Sequence, residues 1–360
     1  EPGIQITREF PPTHPRGERG RSGGGVWNFP WNPFSVSFAV FCSSFGLVDG
    51  DGKPYPSESS TILPTKGGIH PRKAAEHHAD SAGELFARIL ERENLDKSQL
   101  SAVSYSQGPG LAPCLRAGAS AARTISTALN IPLIGVNHCV AHIEIGREQC
   151  GCDDPVLLYA SGGNTQVITQ LSGRYRVLGE TLDIGIGNML DKFARSNGIP
   201  FPGGPKVEQN ALLWEEDSLD EIPLPYVVQG MDLAFSGILT AATKATKEGV
   251  PFAAVCWSLQ EHAFAACVEV AERALAHSGK NELLLGGGVA CNERLREMCE
   301  IMCAERGAKS YAPPKMYCID NGTMIARLGW LELKEGRVTS LSESAINPSL
   351  RTDDSEIIWA

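Results

Sequence analysis

Several signals that would place this chain in a familiar class are missing from it. No window reaches 18 uninterrupted apolar residues. The greasiest stretch, "VWNFPWNPFSVSFAVFCSSFGLV", is broken by Pro30, Pro33, two asparagines and several serines, which makes it a poor membrane span. The basic start, apolar middle and small-residue cleavage site of a signal peptide are also absent, so the expectation is a cytoplasmic protein with no membrane partner. No CxxC pair occurs. The 11 cysteines are odd in number and scattered, with Cys150/Cys152 and Cys299/Cys303 the nearest approaches. That pattern fits buried thiols in a reducing compartment better than a disulfide framework. Positive charge is short too: 32 Lys and Arg stand against 42 Asp and Glu, a formal net charge of −10. The surface as a whole is therefore no nucleic-acid glove, although a local basic patch or cationic partners would be compatible with it.

What is present is an ordinary globular composition, 42% apolar and 21% charged, in 360 residues, enough for two packed lobes. Residues 1–34 are rich in Pro, Gly and Arg without a sustained period, and read as a disordered or irregular extension. From Ser44 the text becomes regular. "SFGLVDGDGKPYPSES" is a strand, an Asp49–Gly52 turn and a return strand, and "AAEHHADSAGELFARILERE" is a helix with His77 and His78 on its surface. A strand, a Gly108-Pro109-Gly110 turn, a small-residue helix and the buried strand "PLIGVNH" follow. The second half starts over with the three-stranded meander "PVLLYASGGNTQVITQLSGRYRVLGE" and long helices. It continues with the strand "ELLLGGG", a helix opened by Asn292, and the strand "AKSYAPP". Both halves run strands first and then alternate helix with strand. The expectation is an α/β protein of two similar lobes with a cleft between them, although no sequence repeat is visible.

The chemistry is concentrated in a few places. His138 and His142, four residues apart, would project from one helix face, as two neutral nitrogen ligands to a divalent metal must. The same spacing also describes two packed core histidines. A zincin would have Glu after the first His, and here Cys139 stands there. Asp320 in "YCIDNGTMIA" reads as a carboxylate at the end of a short apolar strand, before an Asn321-Gly322 turn. The hairpin "YASGGNTQV" would offer backbone amides and the hydroxyls of Ser161 and Thr165 to an anion. "LLLGGGVACNERL" ends a buried strand in three glycines before a helix N-terminus, where a ligand can approach closely and negative charge is favoured. It is neither a Walker loop nor a GxGxxG turn. Glu180, Asp183 and Asp191 lie in "GETLDIGIGNMLDKFAR", and Glu208 follows the loop "GIPFPGGPKVEQ". By themselves these carboxylates are as readily solvated charges as ligands.

Their order is more specific than any one of them. The run "NHCVAHIEIGR … YASGGNTQVI … RYRVLGETLDIGIGNMLDKFAR … PFPGGPKVEQ … GMDLAFSGILTAA … GGGVACNERL … CIDNGTMIA" resembles the tRNA threonylcarbamoyladenosine synthase family. The likeness is to the archaeal and eukaryotic type, the catalytic subunit of the KEOPS complex, once named O-sialoglycoprotein endopeptidase. The resemblance implies an actin/Hsp70/sugar-kinase fold of two duplicated α/β lobes, here 35–135 with 320–360, and 136–319. It implies one metal ion per subunit, iron or zinc, held by His138, His142, Tyr159 and Asp320. It further implies that an ATP-type nucleotide substrate, threonylcarbamoyl-adenylate, is contacted by Tyr159, Ala160, Ser161, Gly162, Gly163 and Asn164 of the hairpin, and by Asp191, Gly204, Glu208 and Asn292. No catalytic side chain beyond the metal site is implied. The implied partners are tRNAs reading codons that begin with A, and the other KEOPS subunits, including a small kinase-like protein. One departure is visible: where the family has a Gly-Glu-Gly-Ser/Thr-Ala type loop, this chain reads "PFSVSFAVFCSS". The expectation from that departure is a first lobe without its edge strand and one phosphate loop. Two other readings follow from it or from the fold: an impaired assembly subunit, or a small-molecule kinase.

Overall fold

"FSVSFA" and "SSFGLV" are short apolar runs interrupted only by small residues, the composition of strands buried on both faces. In the computed structural model they are neighbouring strands, and the first is the centre of a sheet. The structure describes residues 34–39, 43–62, 70–215, 222 and 224–359, so all but Phe34 of the expected disordered extension lies outside the described residues. Strands β1 (Phe34–Ala39), β2 (Ser43–Val48) and β3 (Pro54–Ser60) form an antiparallel meander. The turn between the last two is held by Asp49, whose Oδ1 accepts from the amides of Asp51 (3.0 Å) and Lys53 (2.9 Å). Helix α1 (Pro71–Arg92), β4 (Leu100–Gly108), α2 (Ala112–Leu129) and β5 (Leu133–Asn137) follow. The sheet order is β3-β2-β1-β4-β5, with β4 parallel to β1 and β5 parallel to β4.

After α3 (His138–Cys150) the plan repeats. Strands β6 (Val156–Ala160), β7 (Thr165–Leu171) and β8 (Arg174–Glu180) make a second antiparallel meander. Helices α4 (Ile186–Ser196) and α5 (Gly204–Ala211), the ribbon β9 (Val228–Gln229) and β10 (Asp232–Leu233), and helices α6 (Ser236–Lys247) and α7 (Phe252–Ser278) come next. Then β11 (Glu282–Gly286), α8 (Glu293–Arg306) and β12 (Lys309–Tyr311) complete a sheet in the order β8-β7-β6-β11-β12. In each sheet a meander of three strands is extended beside its first strand by two parallel ones. The duplication expected of an actin/Hsp70/sugar-kinase fold is thus a duplication of topology, carried by two five-stranded mixed sheets.

Two short elements close the chain's second half, α9 (Lys315–Cys318) and α10 (Gly322–Lys334). Helix α10 crosses the first sheet with its N-terminus seated backbone against backbone. A Cβ on Gly322 would lie 2.3 Å from Gly46 N, and one on Gly46 would lie 2.0 Å from Thr323 N. Neither position tolerates a side chain. Ser37 Oγ donates to Gly322 O, and Thr323 N donates to Ser57 Oγ at 3.0 Å. Val136, Val140, Ile143, Met324 and Leu328 fill the space between α3 and α10, each contributing about 1.5–3 kcal/mol by leaving water. Near the end of α10, Glu332 is buried beside a pocket that Gln107 and Asn137 also line, with Arg337 at 3.8 Å. Burial pushes its carboxyl up to about 7, against the pull of Arg337.

Three sequence expectations change here. The first lobe does not lack its strand: β1 is present and central, and its loop, residues 40–42, lies outside the described residues. The apolar run before Asp320 is a helical turn and not a strand. Pro314 O accepts from Tyr317 N (2.8 Å) and Cys318 N (3.2 Å), because a prolyl residue prearranges the entry to a helix and the run is too short to choose otherwise. Finally, His78 is buried, at 1% exposure, on the stripe that also holds Ala74, Leu85 and Ile89, and its Nδ1 bonds Ala74 O at 2.6 Å.

Candidate metal and nucleotide site

Helix α3 starts at His138 because Asn137 caps it, accepting at Oδ1 from the amides of Cys139 (3.0 Å) and Val140 (3.3 Å). His142 is then one turn further on the same face. Asp320 enters from the link between α9 and α10, where Asn321 caps α10 through Met324 N at 2.9 Å. The two imidazoles meet one carboxylate oxygen: Asp320 Oδ1 is 3.2 Å from His138 Nε2 and 2.9 Å from His142 Nε2. Burial alone would raise the Asp320 carboxyl, but the two histidines outweigh it and hold the group well below the usual carboxylate range. Burial also lowers the His142 imidazole, opposed by Asp320, so the neutral form with its lone pair is favoured.

These residues fit a metal ion. Their ligand atoms all lie within 4.8 Å of one another. Around an ion bound at about 2.0–2.2 Å, neighbouring donors sit roughly 3–3.5 Å apart, so little rearrangement is needed. Two imidazole nitrogens and one carboxylate oxygen suit iron or zinc better than magnesium. Tyr159 lies beside them, 1% exposed near the end of β6, its ring centroid 4.8 Å from that of His142. Burial pushes its phenol well above the ordinary range, and Asp320 and Cys139 add to this. It is a neutral phenol here, and would need a cation at the histidines to become a phenolate ligand.

The chain turns directly after Tyr159. Ala160 pairs with Thr165, and the Ser161–Asn164 turn closes through Ser161 N to Asn164 O (2.9 Å) and Ser161 Oγ to Asn164 O (2.9 Å). Thr165 is buried, and its Oγ1 accepts from Ile186 N at 2.9 Å. The Ser161 hydroxyl thus donates within its own turn, and the Thr165 hydroxyl, buried under the start of α4, accepts the Ile186 amide. Gly162 and Gly163 form the exposed tip. The start of α4 docks under this turn, Gly187 N donating to Ser161 O and Asn188 N to Gly162 O, both at 3.0 Å. On the other side Gly287, at φ +89°, approaches Ala160 so closely that a Cβ would meet its carbonyl oxygen at 2.4 Å. Gly287 N also donates to Cys318 O at 3.0 Å. The glycine loop thus connects the hairpin to the segment that carries Asp320.

The remaining predicted contacts are found at helix starts. Asp191 Oδ1 accepts from Gly203 N (2.7 Å) and Gly204 N (3.3 Å), capping α5, while burial pushes its carboxyl up against these amides. Glu208 Oε1 accepts from Glu293 N (2.8 Å), the first residue of α8. Asn292 caps the same helix through Arg294 N (3.0 Å) and Leu295 N (3.2 Å), and its Nδ2 donates to Gln260 Oε1 (2.8 Å). Gln260 was missed; it is a polar residue on the buried face of α7, next to the buried Ser258 and Glu261. Asp183 belongs to a different structure, since it clamps Phe235 N and Ser236 N (both 2.9 Å) at the start of α6. Glu180 accepts from Gln166 Nε2 at 3.1 Å, at the end of β8.

A family model described as TsaD, tRNA N6-adenosine threonylcarbamoyltransferase, matches residues 56–327, across the hairpin, the helix caps and all four metal candidates. The chain belongs to the TsaD family. It is 55% identical over 304 residues to a probable bifunctional tRNA threonylcarbamoyladenosine biosynthesis protein of Methanosarcina mazei, covering 84% of this chain and 55% of that protein. The chain thus spans about half the length of such curated relatives. With the tRNA N6-adenosine threonylcarbamoyltransferase of Methanocella arvoryzae it shares 53% identity over 312 residues, covering 87% of this chain and 94% of that one. Among solved structures, T. kodakarensis HypF superposes with a TM-score of 0.62 at 15% identity, over 85% of this TsaD-family chain and 48% of that one, a likeness of fold alone. Among the described residues no helix is long and apolar enough to cross a membrane.

Proposed function

We propose that this chain transfers the threonylcarbamoyl group of threonylcarbamoyl-adenylate to the N6 amine of the adenosine 3′ of the anticodon, in tRNAs reading codons that begin with A. The observation that supports this most directly is the convergence of His138, His142 and Asp320, with the ring of Tyr159 packed beside His142, immediately before the exposed Gly162–Gly163 tip. In the reaction the amine attacks the carbamoyl carbon, the bond from that carbon to the phosphate oxygen breaks, and AMP leaves. The amine nitrogen gives up one proton. A mixed anhydride has a good leaving group, so no side-chain nucleophile is required.

Within this reading His138, His142, Asp320 and Tyr159 hold one iron or zinc ion. When bound, that ion supplies Lewis acidity toward a donor oxygen. The amides of Gly162 and Gly163 face the donor phosphate, where they favour the charge that AMP carries away. Asp191, Glu208 and Asn292 grip ribose and base with the oxygen and N–H positions that their caps leave over, and Gly204 lets the nucleotide approach the start of α5. The two sheets and their helices form the lobes 35–135 with 320–360, and 136–319, with the donor between them. Since the chain carries a net charge of −10, cationic surfaces for tRNA come largely from partner subunits of a KEOPS-type complex, a small kinase-like protein among them. This assembly is cytoplasmic.

The test is incorporation of labelled threonine into unmodified tRNA by the purified chain with threonylcarbamoyl-adenylate and partner subunits. Incorporation that falls at least a hundredfold in His142→Ala and Asp320→Ala, both still folded, is expected. Full transfer by those variants, or none by the wild-type chain with one metal bound, would refute the proposal.

A further inference from the structure

Helices α3 and α10 both begin at the metal candidates and run away from them side by side. Just before α10, Asp320 Oδ1 meets His138 Nε2 (3.2 Å) and His142 Nε2 (2.9 Å) of α3. Further along, Arg327 Nη2 of α10 meets Glu148 Oε2 of α3 at 2.6 Å. Glu148 is six residues beyond His142, roughly 9 Å along the helix. Between these two ties the filling is apolar, with Ile143, Met324 and Leu328 buried there. Apolar attraction has no direction, so the ion pair is the contact that fixes where α10 lies along α3. Arg327 is itself anchored. Its Nη1 donates to Gly52 O (2.7 Å) in the turn between β2 and β3, and its guanidinium lies 4.8 Å from the Trp330 ring centre. Trp330 Nε1 donates to Gly50 O of the same turn at 3.1 Å. Helix α3 is held from its other side, where Glu144 accepts from Tyr175 Oη of β8 and from Arg147 Nη1 at 3.2 Å. The side chains of Arg327 and Glu148 are 14% and 34% exposed, against 82% and 59% in the surface pair Arg72–Glu76, so solvent screens them less.

We propose that Arg327 and Glu148 are positioning residues for the metal site: their ion pair, braced on the β2–β3 turn, sets how far Asp320 stands from the two histidines, and with that the affinity for the ion. The inference rests on the metal reading of His138, His142 and Asp320 given above. Neither residue is a ligand candidate, and the effect passes through the two helices. Asp320 is fixed to the first sheet through the seat of Gly322 on Gly46, whereas α3 is fixed to the second sheet through Glu144 and Tyr175. The strut joins these two attachments within about two helical turns of the site on either helix, so little slack separates it from the ligands. Metal–ligand distances tolerate deviations of only about 0.2 Å. Arg327→Met removes the tie and leaves the histidines free to shift against Asp320. Glu148→Gln keeps the shape and weakens the same tie from its more exposed end, where a neutral side chain disturbs the fold least.

The experiment measures zinc affinity of the full chain at pH 7 by competition with a chromophoric chelator, beside urea denaturation of each metal-free variant. Arg327→Met and Glu148→Gln are each expected to weaken zinc binding about tenfold or more. The double variant is expected to be no weaker than the weaker single one, because both remove the same tie. With cobalt(II) in place of zinc, the visible absorption that reports ligand geometry is expected to change in both single variants. Asp183→Ala, which loosens the start of α6 instead, is expected to lose stability but keep wild-type zinc affinity and cobalt absorption. Wild-type zinc affinity in both strut variants would overturn the proposal and leave the metal reading intact. Losses that multiply in the double variant, or an equal loss in Asp183→Ala, would also overturn it, since affinity would then follow stability alone. A wild-type chain that binds no zinc would refute the metal reading and the strut together.

Discussion

Replacing Glu332 by Gln gives a stability change whose sign and pH dependence follow from one buried carboxyl. In the folded chain burial raises this group from 4.5 to about 7. Below pH 4.5 both folded and unfolded forms hold the proton, and nothing is lost. As pH rises above 4.5 the unfolded chain releases a proton that the folded chain retains, so wild-type stability falls by about 1.4 kcal/mol per pH unit. The loss ends near pH 7, where the folded group ionises as well, and amounts to about 3 kcal/mol as an upper bound. Glutamine has the same shape without the charge, and Gln107 and Asn137 line the same pocket as polar neighbours. Glu332→Gln is therefore expected to exceed wild type by under about 1 kcal/mol at pH 5 and by about 2–3 kcal/mol at pH 8. Urea denaturation of both chains at pH 5, 6, 7 and 8 measures this. Parallel stability curves, or a variant less stable at pH 8, would mean that Arg337 at 3.8 Å compensates the buried charge, and the reasoning would fail.

Gly322→Ala forces backbone atoms now 2.3 Å from the new Cβ to part by about 1 Å, at a cost of about 1–3 kcal/mol. It is expected to lower the thermal midpoint and weaken zinc binding about 10–100-fold in a chelator competition, and unchanged values of both would contradict the seat described for α10. Asp183→Ala removes an acceptor from Phe235 N and Ser236 N, and is expected to cost about 1–3 kcal/mol by urea denaturation without changing metal stoichiometry. A loss of metal in that variant would show that Asp183 serves the site and not the start of α6.

The parts of this molecule that were legible in the sequence are those with local causes. His138 and His142 share a face because Asn137 starts a helix beside them, and the meander β6–β8 is punctuated by its own turn residues. The long-range pairings were not legible. Glu208 caps a helix that begins 85 residues later, and Asn292 reaches Gln260 on another helix. No periodicity encodes such contacts. Asp320 was found as a carboxylate but misplaced on a strand, because four apolar residues satisfy strand and helix patterns alike. Tyr159 came from the family resemblance and not from its residue type. The hydroxyls of Ser161 and Thr165 were legible as polar groups of the hairpin, but that Ser161 donates to Asn164 O and Thr165 accepts from Ile186 N is set only by the turn's closure and by the docking of α4. Twofold topology without a visible repeat has a similar cause: strand order depends on burial and connection, which many unrelated sequences satisfy.

The seat of Gly322 on Gly46 also joins ion occupancy to the fraying of the first sheet. Asp320 is two residues from a contact with no side chain to absorb movement, and Ser37 of β1 holds the same carbonyl. An ion that grips Asp320 therefore works as a remote clasp on β1 and β2, and each tenfold excess of ion over its dissociation constant adds about 1.4 kcal/mol against opening. Chelation should accordingly be felt as faster amide exchange in β1 and β2, whose residues supply none of the proposed ligands.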